Sequence, residues 1–504
     1  MPSSAHTLGC WIADRAATQP DAIAVIDGGV TVTYRDLSSR IDALAARLRA
    51  GGYGVGDRIA TVAGNTTDQI VLFFACARTG IALVPLSWRL TVAELSDLLR
   101  RSEPVLVAVD DEHTTVAAEA LRVLGSVTPL VILGTTGLEA QVPLRRAEGV
   151  VERDVRDDDA LLVIFTSGSE SAPKGVVLTH ANCFWTNMAL ASAVQITSDD
   201  VVLTVLPQFH VAAWNCQPLL ALWRGAMLVL ERSFHPGRVL QLIAEHRVTA
   251  LMGVPTHYRL LAHDGGFGDA DLTSVRSALV GGATMPDDLS AVWRDRGVAL
   301  MQGYGLTEAG PNVACALPGD IGVIGRPYAH VDVMLADLQT GGSLEGSATG
   351  ELWVRGPSVS PGYLNDPEAS ARTMSGEWLR TGDVAERLAD GRLRIVDRLK
   401  DIYISGGENV SPAEVERALE QHPQIVRAGV VGIPDEVWGE RGLAFVVART
   451  PMSADEVIAH ARTLLAGFKV PVRVEFVAEL PTLSIEKLAR TQLRERARAI
   501  VGMS

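Results

Sequence analysis

Residues 165–180, FTSGSESAPKGVVLTH, set Thr166, Ser167, Gly168 and Ser169 ahead of Lys174, directly after the apolar run ALLVIF. Hydroxyls and backbone N–H groups in such a loop converge on phosphate oxygens, and a lysine adds a point charge. The spacing is not the GxxxxGK[ST] loop of the common nucleotide hydrolases. The same composition also suits an ordinary surface loop. Other chemistry-bearing residues have equally plain readings when taken singly. Asp383 at a strand end reads as a turn aspartate, Glu308 as a helix-start carboxylate, His210 after an apolar strand as a satisfied buried histidine, and Lys487 as a solvated helix lysine.

Their order along the chain changes the reading. After the Ser/Gly loop come LPQFH at 206–210, VGGA at 280–283, QGYGLTE at 302–308, GELWVRGP at 350–357, GYLND at 362–366, WLRTGD at 378–383, DRLKDIYISGGENVSPAEVE at 397–416 and WGE at 438–440. This ordered set resembles the adenylate-forming superfamily of acyl-CoA synthetases, luciferases and peptide-synthetase adenylation domains. It is most similar to the acid–CoA ligase branch, and the resemblance runs from VPLSWRLTVAEL at 84–95 to Lys487.

The resemblance implies a two-step reaction with ATP, Mg²⁺ and CoA, in which an acid is converted to an acyl-adenylate and a thiol then displaces AMP. Neither step needs a protein nucleophile, so charge compensation and alignment are the protein's task. By resemblance, Thr166, Ser167, Gly168, Ser169 and Lys174 hold the terminal phosphates, with Thr307 nearby and Glu308 on the metal. Asp383 takes the ribose hydroxyls, and Arg398 fixes the ribose and phosphate end. Gly281, Gly282, Ala283, Gln302, Gly303 and Tyr304 flank adenine. His210 gates the acyl pocket, to which Trp214, Val254, Gly282 and Gly305 are assigned. Ser405, Gly406, Gly407 and Trp438 border the CoA thiol arm, Lys400 is the hinge, and Lys487 steadies the attacking carboxylate.

Three positions depart from the family pattern. Glu170 and Ser171 stand where Thr and Gly are usual, and Glu486 replaces the Gly before Lys487. A carboxylate turned toward polyphosphate repels it. These departures leave room for a weakly catalytic nucleotide-binding relative acting as a sensor. A closer rival is an acyl-AMP ligase that loads a carrier, which would be a separate protein. The expected acid is apolar, fatty or aryl/arylpropenoic, because the pocket segments VAAWN, MGVPT, VGGA and GPNVAC hold no fixed charge to pair with an ammonium group.

The elements that must position these residues alternate. Apolar strand-like runs at 23–26, 58–63, 82–86, 105–109 and 129–133 are separated by amphipathic stretches such as 34–50 and 91–101. This predicts an α/β fold, with mostly parallel sheets covered by helices in a large N-terminal domain. The last hundred residues carry short Gly-bounded strands at 392–397 and 428–434, a helix from Ser453 and a charged tail. They predict a small, mobile α+β C-terminal domain, giving domains at 1–396 and 402–504 with a hinge at 397–401.

The composition fits a multi-domain chain of 504 residues, 47% hydrophobic, with 45 basic against 59 acidic side chains and a formal net charge of −14. That acidity argues against nucleic acid or an anionic membrane surface as the main partner. The five scattered cysteines form no CxxC pair. Residues 1–11 lack the pattern of a signal peptide, and the most apolar stretch, 70–86, is broken by Arg78, Gly80 and Pro85. The expectation is a cytoplasmic enzyme without a transmembrane segment, whose partners are a small carboxylic acid and CoA.

Overall fold

The computed structural model describes residues 6–134, 137–145, 153–166, 172–320, 322–338, 340–398, 403–410, 412–481, 488 and 490–502. They fall into two compact units. The large one comprises described residues of Met1–Trp88, Leu99–Phe165 and Gly175–Asp397, and the small one those of Arg89–Leu98, Thr166–Lys174 and Arg398–Ser504.

The large unit contains two sheets that are mostly parallel. In the seven-stranded sheet, Arg58–Val62 lies between Ala82–Leu86 and Leu106–Val109, and both pairings are parallel. Apart from Arg58, which is half-buried, and Thr61, these strands are apolar, and all their other residues are buried, as expected where helices cover a parallel sheet. The nine-stranded sheet sets Leu300–Tyr304, Ser277–Val280, Ala250–Gly253, Val201–Thr204, Met227–Leu230 and Ile23–Asp27 side by side, all parallel. One continuous apolar core draws on both sheets, Val25 and Leu83 among them, and a second lies where the helices Pro236–His246, Pro255–His263 and Asp287–Asp295 cover the nine-stranded sheet.

Helix boundaries follow local chemistry. Thr33 and Asp36 form a capping box that opens the helix Tyr34–Ala50 over the span its periodicity predicts. Thr66 caps Thr67–Thr79, which ends at Gly80 with φ +74°. A third sheet, antiparallel, departs from the expected parallel pattern. Asp332–Ala336, Ala348–Arg355 and Trp378–Arg387 pair antiparallel. Asp332–Ala336 and Ala348–Arg355 have no helix between them, and only the seven-residue helix Pro367–Thr373 precedes Trp378–Arg387, too short for a 3.6-residue period to announce the sheet.

In the small unit, Ile425–Asp435 and Gly439–Ala448 form a long antiparallel pair; along Gly439–Ala448, Tyr403–Ser405 pairs antiparallel at Gly439 and Arg473–Phe476 pairs parallel from Leu443 to Val446, while Glu408–Val410 pairs with Tyr403–Ser405. Side chains alternate between two cores. Val430 and Val446 pack with the helices Pro412–Glu420 and Ala454–Leu464, while Val431 and Phe445 pack with Leu493 and Ala497 of Arg490–Val501. Among the described residues no helix is long and apolar enough to cross a membrane.

Candidate functional site

Ligands of open α/β sheets gather at the carboxyl ends of the strands. At that edge of the nine-stranded sheet, four neighbouring strands end where sequence motifs begin. Leu300–Tyr304 runs into Gly305–Glu308, Ser277–Val280 into Gly281–Ala283, Ala250–Gly253 into Val254, and Val201–Thr204 into the turn that carries His210. The sheet order therefore brings Tyr304, Gly305, Gly281, Gly282, Ala283, Val254 and His210 along one edge.

The glycines differ in what requires them. A Cβ on Gly305 would lie 1.4 Å from the carbonyl oxygen of Pro311, so the returning chain admits no side chain there. Gly282 has φ +78° and faces Val254, whereas Gly281 approaches the Met252 methyl. Gly303 meets only ordinary contact. Behind this row, the Gln302 amide is spent on the backbone. It donates to Ala283 O at 3.1 Å and Gly303 O at 3.0 Å and accepts from Met285 N–H at 2.8 Å.

Two carboxylates stand against this edge, each receiving a tyrosine hydroxyl. Tyr304 donates to Asp383 Oδ2 at 2.7 Å, and Tyr363 donates to Glu308 Oε1 at 2.9 Å. Asp383 is buried, and its position comes from an irregularity in the antiparallel sheet. Glu351 pairs with Val384 but Trp353 pairs with Arg380, so three residues bulge opposite one. Thr381 Oγ1 stabilises the bulge by donating to Leu352 O at 2.6 Å and accepting from Asp383 N–H at 3.0 Å, while Gly382 N–H reaches Glu351 Oε1 at 3.2 Å. Such a bulge re-aims a side chain. Glu308 lies in the single turn Thr307–Ala309, fastened by Ser360 N–H donating to Glu308 O at 2.8 Å. Burial first, and then the Glu308 charge, push the Tyr363 phenol well above its ordinary range, so it stays a donor. Tyr363 was not singled out from sequence, although it sits inside the GYLND motif.

His210 is half-buried, with its ring 4.6 Å from that of Phe209. Trp214 lies in the core. Its indole is 1% exposed, stacks on Phe73 at 4.8 Å and donates to Gln208 O at 2.7 Å. It lines a small apolar cavity together with Ile70, Leu219 and Leu230.

The remaining candidate residues group elsewhere. Thr166 ends the strand Ala160–Thr166 and Lys174 opens Lys174–Thr179; both are half-buried and cluster with the small unit. Ser405, Gly406 and Gly407 form a hairpin turn in that unit, where Gly406 N–H donates to Trp438 O at 2.8 Å. Ser405 is fully buried and Trp438 is exposed. Arg398 is described through the backbone of Leu393–Arg398 only. Ser167, Gly168, Ser169, Glu170, Ser171, Lys400, Glu486 and Lys487 lie outside the described residues. All five cysteines are unpaired with one another.

The AMP-binding enzyme family matches residues 12–364, and its C-terminal domain matches residues 414–487. The chain belongs to the AMP-binding enzymes. Within this adenylate-forming superfamily it falls in the acyl-CoA synthetase branch and is an AMP-forming acid–thiol ligase. Feruloyl-CoA synthase of an Amycolatopsis species is 39% identical over 500 residues, covering 97% of this chain and 99% of the relative. Among solved structures, the amide bond synthetase McbA of Marinactinospora thermotolerans is 31% identical with a TM-score of 0.86, covering 96% of this chain and 99% of McbA. The o-succinylbenzoate CoA synthetase MenE of Bacillus subtilis is 28% identical with a TM-score of 0.85, covering 96% of this chain and 98% of MenE. AMP-binding enzymes of this branch use ATP and CoA.

Proposed function

We propose that this AMP-binding enzyme activates an apolar carboxylic acid, arylpropenoic or fatty, and transfers the acyl group to CoA. The observation that carries the reading is the strand edge bearing His210, Val254, Gly281, Gly282 and Gly305, flanked by Asp383 and Glu308. The segments 211–215, 252–256, 280–283 and 310–315 around it contain no Lys, Arg, Asp or Glu. An amino-acid substrate would require a buried carboxylate for its ammonium group. The feruloyl-CoA synthase relative supports the aryl assignment.

In the first half-reaction the acid's carboxylate oxygen attacks the α-phosphorus of ATP and pyrophosphate leaves. In the second the CoA thiolate attacks the acyl carbon and AMP leaves. Asp383, oriented by Tyr304, accepts from the ribose hydroxyls, as an ionised carboxylate does. Gly281, Gly282, Ala283, Gly303 and Tyr304 border adenine, with Gln302 holding their turn, and Arg398 acts at the ribose end. Thr166, Ser167, Gly168, Ser169, Lys174 and Thr307 serve the phosphates. Lys487 steadies the attacking carboxylate, and His210 positions the acid. Lys400 is the hinge between the steps, and Ser405, Gly406, Gly407 and Trp438 serve the thiol arm.

Among the described residues no cluster of three or more His, Cys, Asp and Glu side chains forms a metal cage. Glu308, a hard oxygen donor, suits Mg²⁺, which shares its coordination between one or two carboxylates and substrate phosphates. When bound, the ion offsets polyphosphate charge.

Incubation with ATP, Mg²⁺, CoA and an acid panel tests the reading. AMP and an acyl-CoA thioester should form in equal amounts, fastest with apolar acids. Formation of ADP, or preference for an amino acid, would overturn it. A second reading, transfer to an amine or a separate carrier protein, draws on the likeness to McbA for the amine and to a fatty acid–(acyl-carrier-protein) ligase, 33% identical, for the carrier. Faster acyl transfer to such acceptors than to CoA would favour it.

A further inference from the structure

We propose that Asn65, Gln69 and Gln208 form a neutral amide clamp that fixes the His210 turn to both parallel sheets of the large unit, making them positioning residues for acid activation. The inference rests on the reading of His210 as the residue that positions the acid.

The three amides are each no more than 2% exposed, and they follow strands of different sheets. Asn65 follows Arg58–Val62 of the seven-stranded sheet, whereas Gln208 follows Val201–Thr204 of the nine-stranded one. Asn65 Nδ2 donates to Leu206 O at 3.0 Å and to Glu231 O at 3.1 Å, and Asn65 Oδ1 accepts Gln208 N–H at 2.8 Å. Gln208 Oε1 in turn accepts Thr66 N–H at 2.9 Å and Gln69 Nε2–H at 3.0 Å. Gln69 also donates to Gly64 O at 2.9 Å and accepts from Thr61 Oγ1 at 2.8 Å. The bonds therefore run in both directions across the gap between the sheets, and they end on the two residues that flank Pro207. From the other side, the Trp214 indole donates to Gln208 O.

The Gly64 corner that begins the clamp is itself tied down. Asp110, buried at the end of Leu106–Val109, accepts Gly64 N–H at 2.8 Å and Arg232 Nη2–H at 2.9 Å. The backbone leaving the clamp at Gln208 reaches His210 two residues later, and His210 N–H closes the turn on Pro207 O at 2.9 Å. A core of this size needs no buried amides to be apolar. Three of them directed at one turn specify its position, because each buried polar group is satisfied in a single arrangement.

The test uses the full-length enzyme and two readouts. His210 is followed by NMR of histidine-labelled protein, assigned with His210→Ala, and adenylation is followed by acid-dependent AMP and pyrophosphate formation. Gln208→Met keeps length but removes the accepting oxygen. It should shift or broaden the His210 resonance and raise KM for the acid about tenfold or more, with KM for ATP changed less than about twofold, since a small misplacement acts on the misplaced partner. In a His210→Ala background the same substitution should add little, because the two residues act as a unit. Should Gln208→Met fold poorly, Thr61→Val, which frees Gln69, should give a smaller change of the same sign. An unmoved His210 resonance, or additive effects of Gln208→Met and His210→Ala, would overturn the clamp. A moved resonance in a protein that forms no AMP with any acid would uphold the clamp and refute the reading of the function.

Discussion

Two turns are given central parts in the proposed chemistry, and they are held in opposite ways. The His210 turn of the large unit is fastened by buried neutral amides. The Ser405–Glu408 hairpin of the small unit depends on glycine and charge. Gly406 and Gly407 adopt φ +58° and +82°, as a two-residue turn of mirror-image type requires. Ile404 N–H donates to Glu440 Oε2 at 2.8 Å, and Glu408 pairs with Arg89 at 2.9 Å. Arg89 belongs to a segment that the small unit holds through Lys469, whose ammonium reaches Glu94 at 3.0 Å and Glu414 at 2.8 Å. Burial opposes the charge on Lys469, but the two carboxylates outweigh it and hold its pKa above the ordinary lysine value. Amide networks keep their hydrogen bonds across pH and salt, whereas a buried ion cluster is stable only while every member keeps its charge. The contrast predicts a chemically insensitive turn in one unit and a tunable hairpin in the other.

Lys469 is where the small unit should be weakened most. Lys469→Met leaves two carboxylates, 13% and 15% exposed, facing each other without a cation and should cost the small unit about 3 kcal/mol or more, read as a lower urea midpoint. Adding Glu94→Gln and Glu414→Gln should recover most of the loss. If Lys469→Met alone is neutral, the cluster does not hold the segment.

In the large unit, acid acts through His180. His180 is fully buried, and its Nδ1 accepts Leu8 N–H at 3.2 Å, so the neutral ring is the folded form. Burial pulls its pKa down from 6.5 to about 4. A depressed folded pKa means that the unfolded chain binds the extra proton first. Stability is therefore intact above about pH 6.5 and falls as the pH drops toward 4, by roughly 3 kcal/mol in total. His180→Gln should flatten this part of the profile in a urea titration. The amides around His210 have no proton to gain in this range, so the His210 turn should hold its geometry until the unit unfolds.

The smallest expected effect is at the hairpin. Gly406→Ala forces an L side chain into a left-handed conformation and sets its Cβ 2.4 Å from the Trp438 ring, so that ring must shift. The backbone penalty should be roughly 1–2 kcal/mol. Thioester formation from supplied acyl-adenylate should slow while AMP formation from ATP and acid persists. Equal loss of both steps would remove the hairpin from the thiol half-reaction.

Local chemistry was legible in the sequence, and contacts over long separations were not. The Tyr34–Ala50 helix, the apolar parallel strands and the Gly406–Gly407 turn each depend on neighbouring residues, whose capping, periodicity and permitted φ values can be read along the chain. So can the order of motifs that marks the family. Tertiary structure decided that Asn65 meets the Gln208 turn across 143 residues and that Lys469 reaches Glu94 across 375. It also decided that a bulge aims Asp383 at Tyr304 and that Trp214 belongs to the core. Gln, Asn, Lys and Trp carry no periodic signature of their partners. Their roles are set by which groups burial leaves within hydrogen-bond reach, and that depends on the packing of whole sheets.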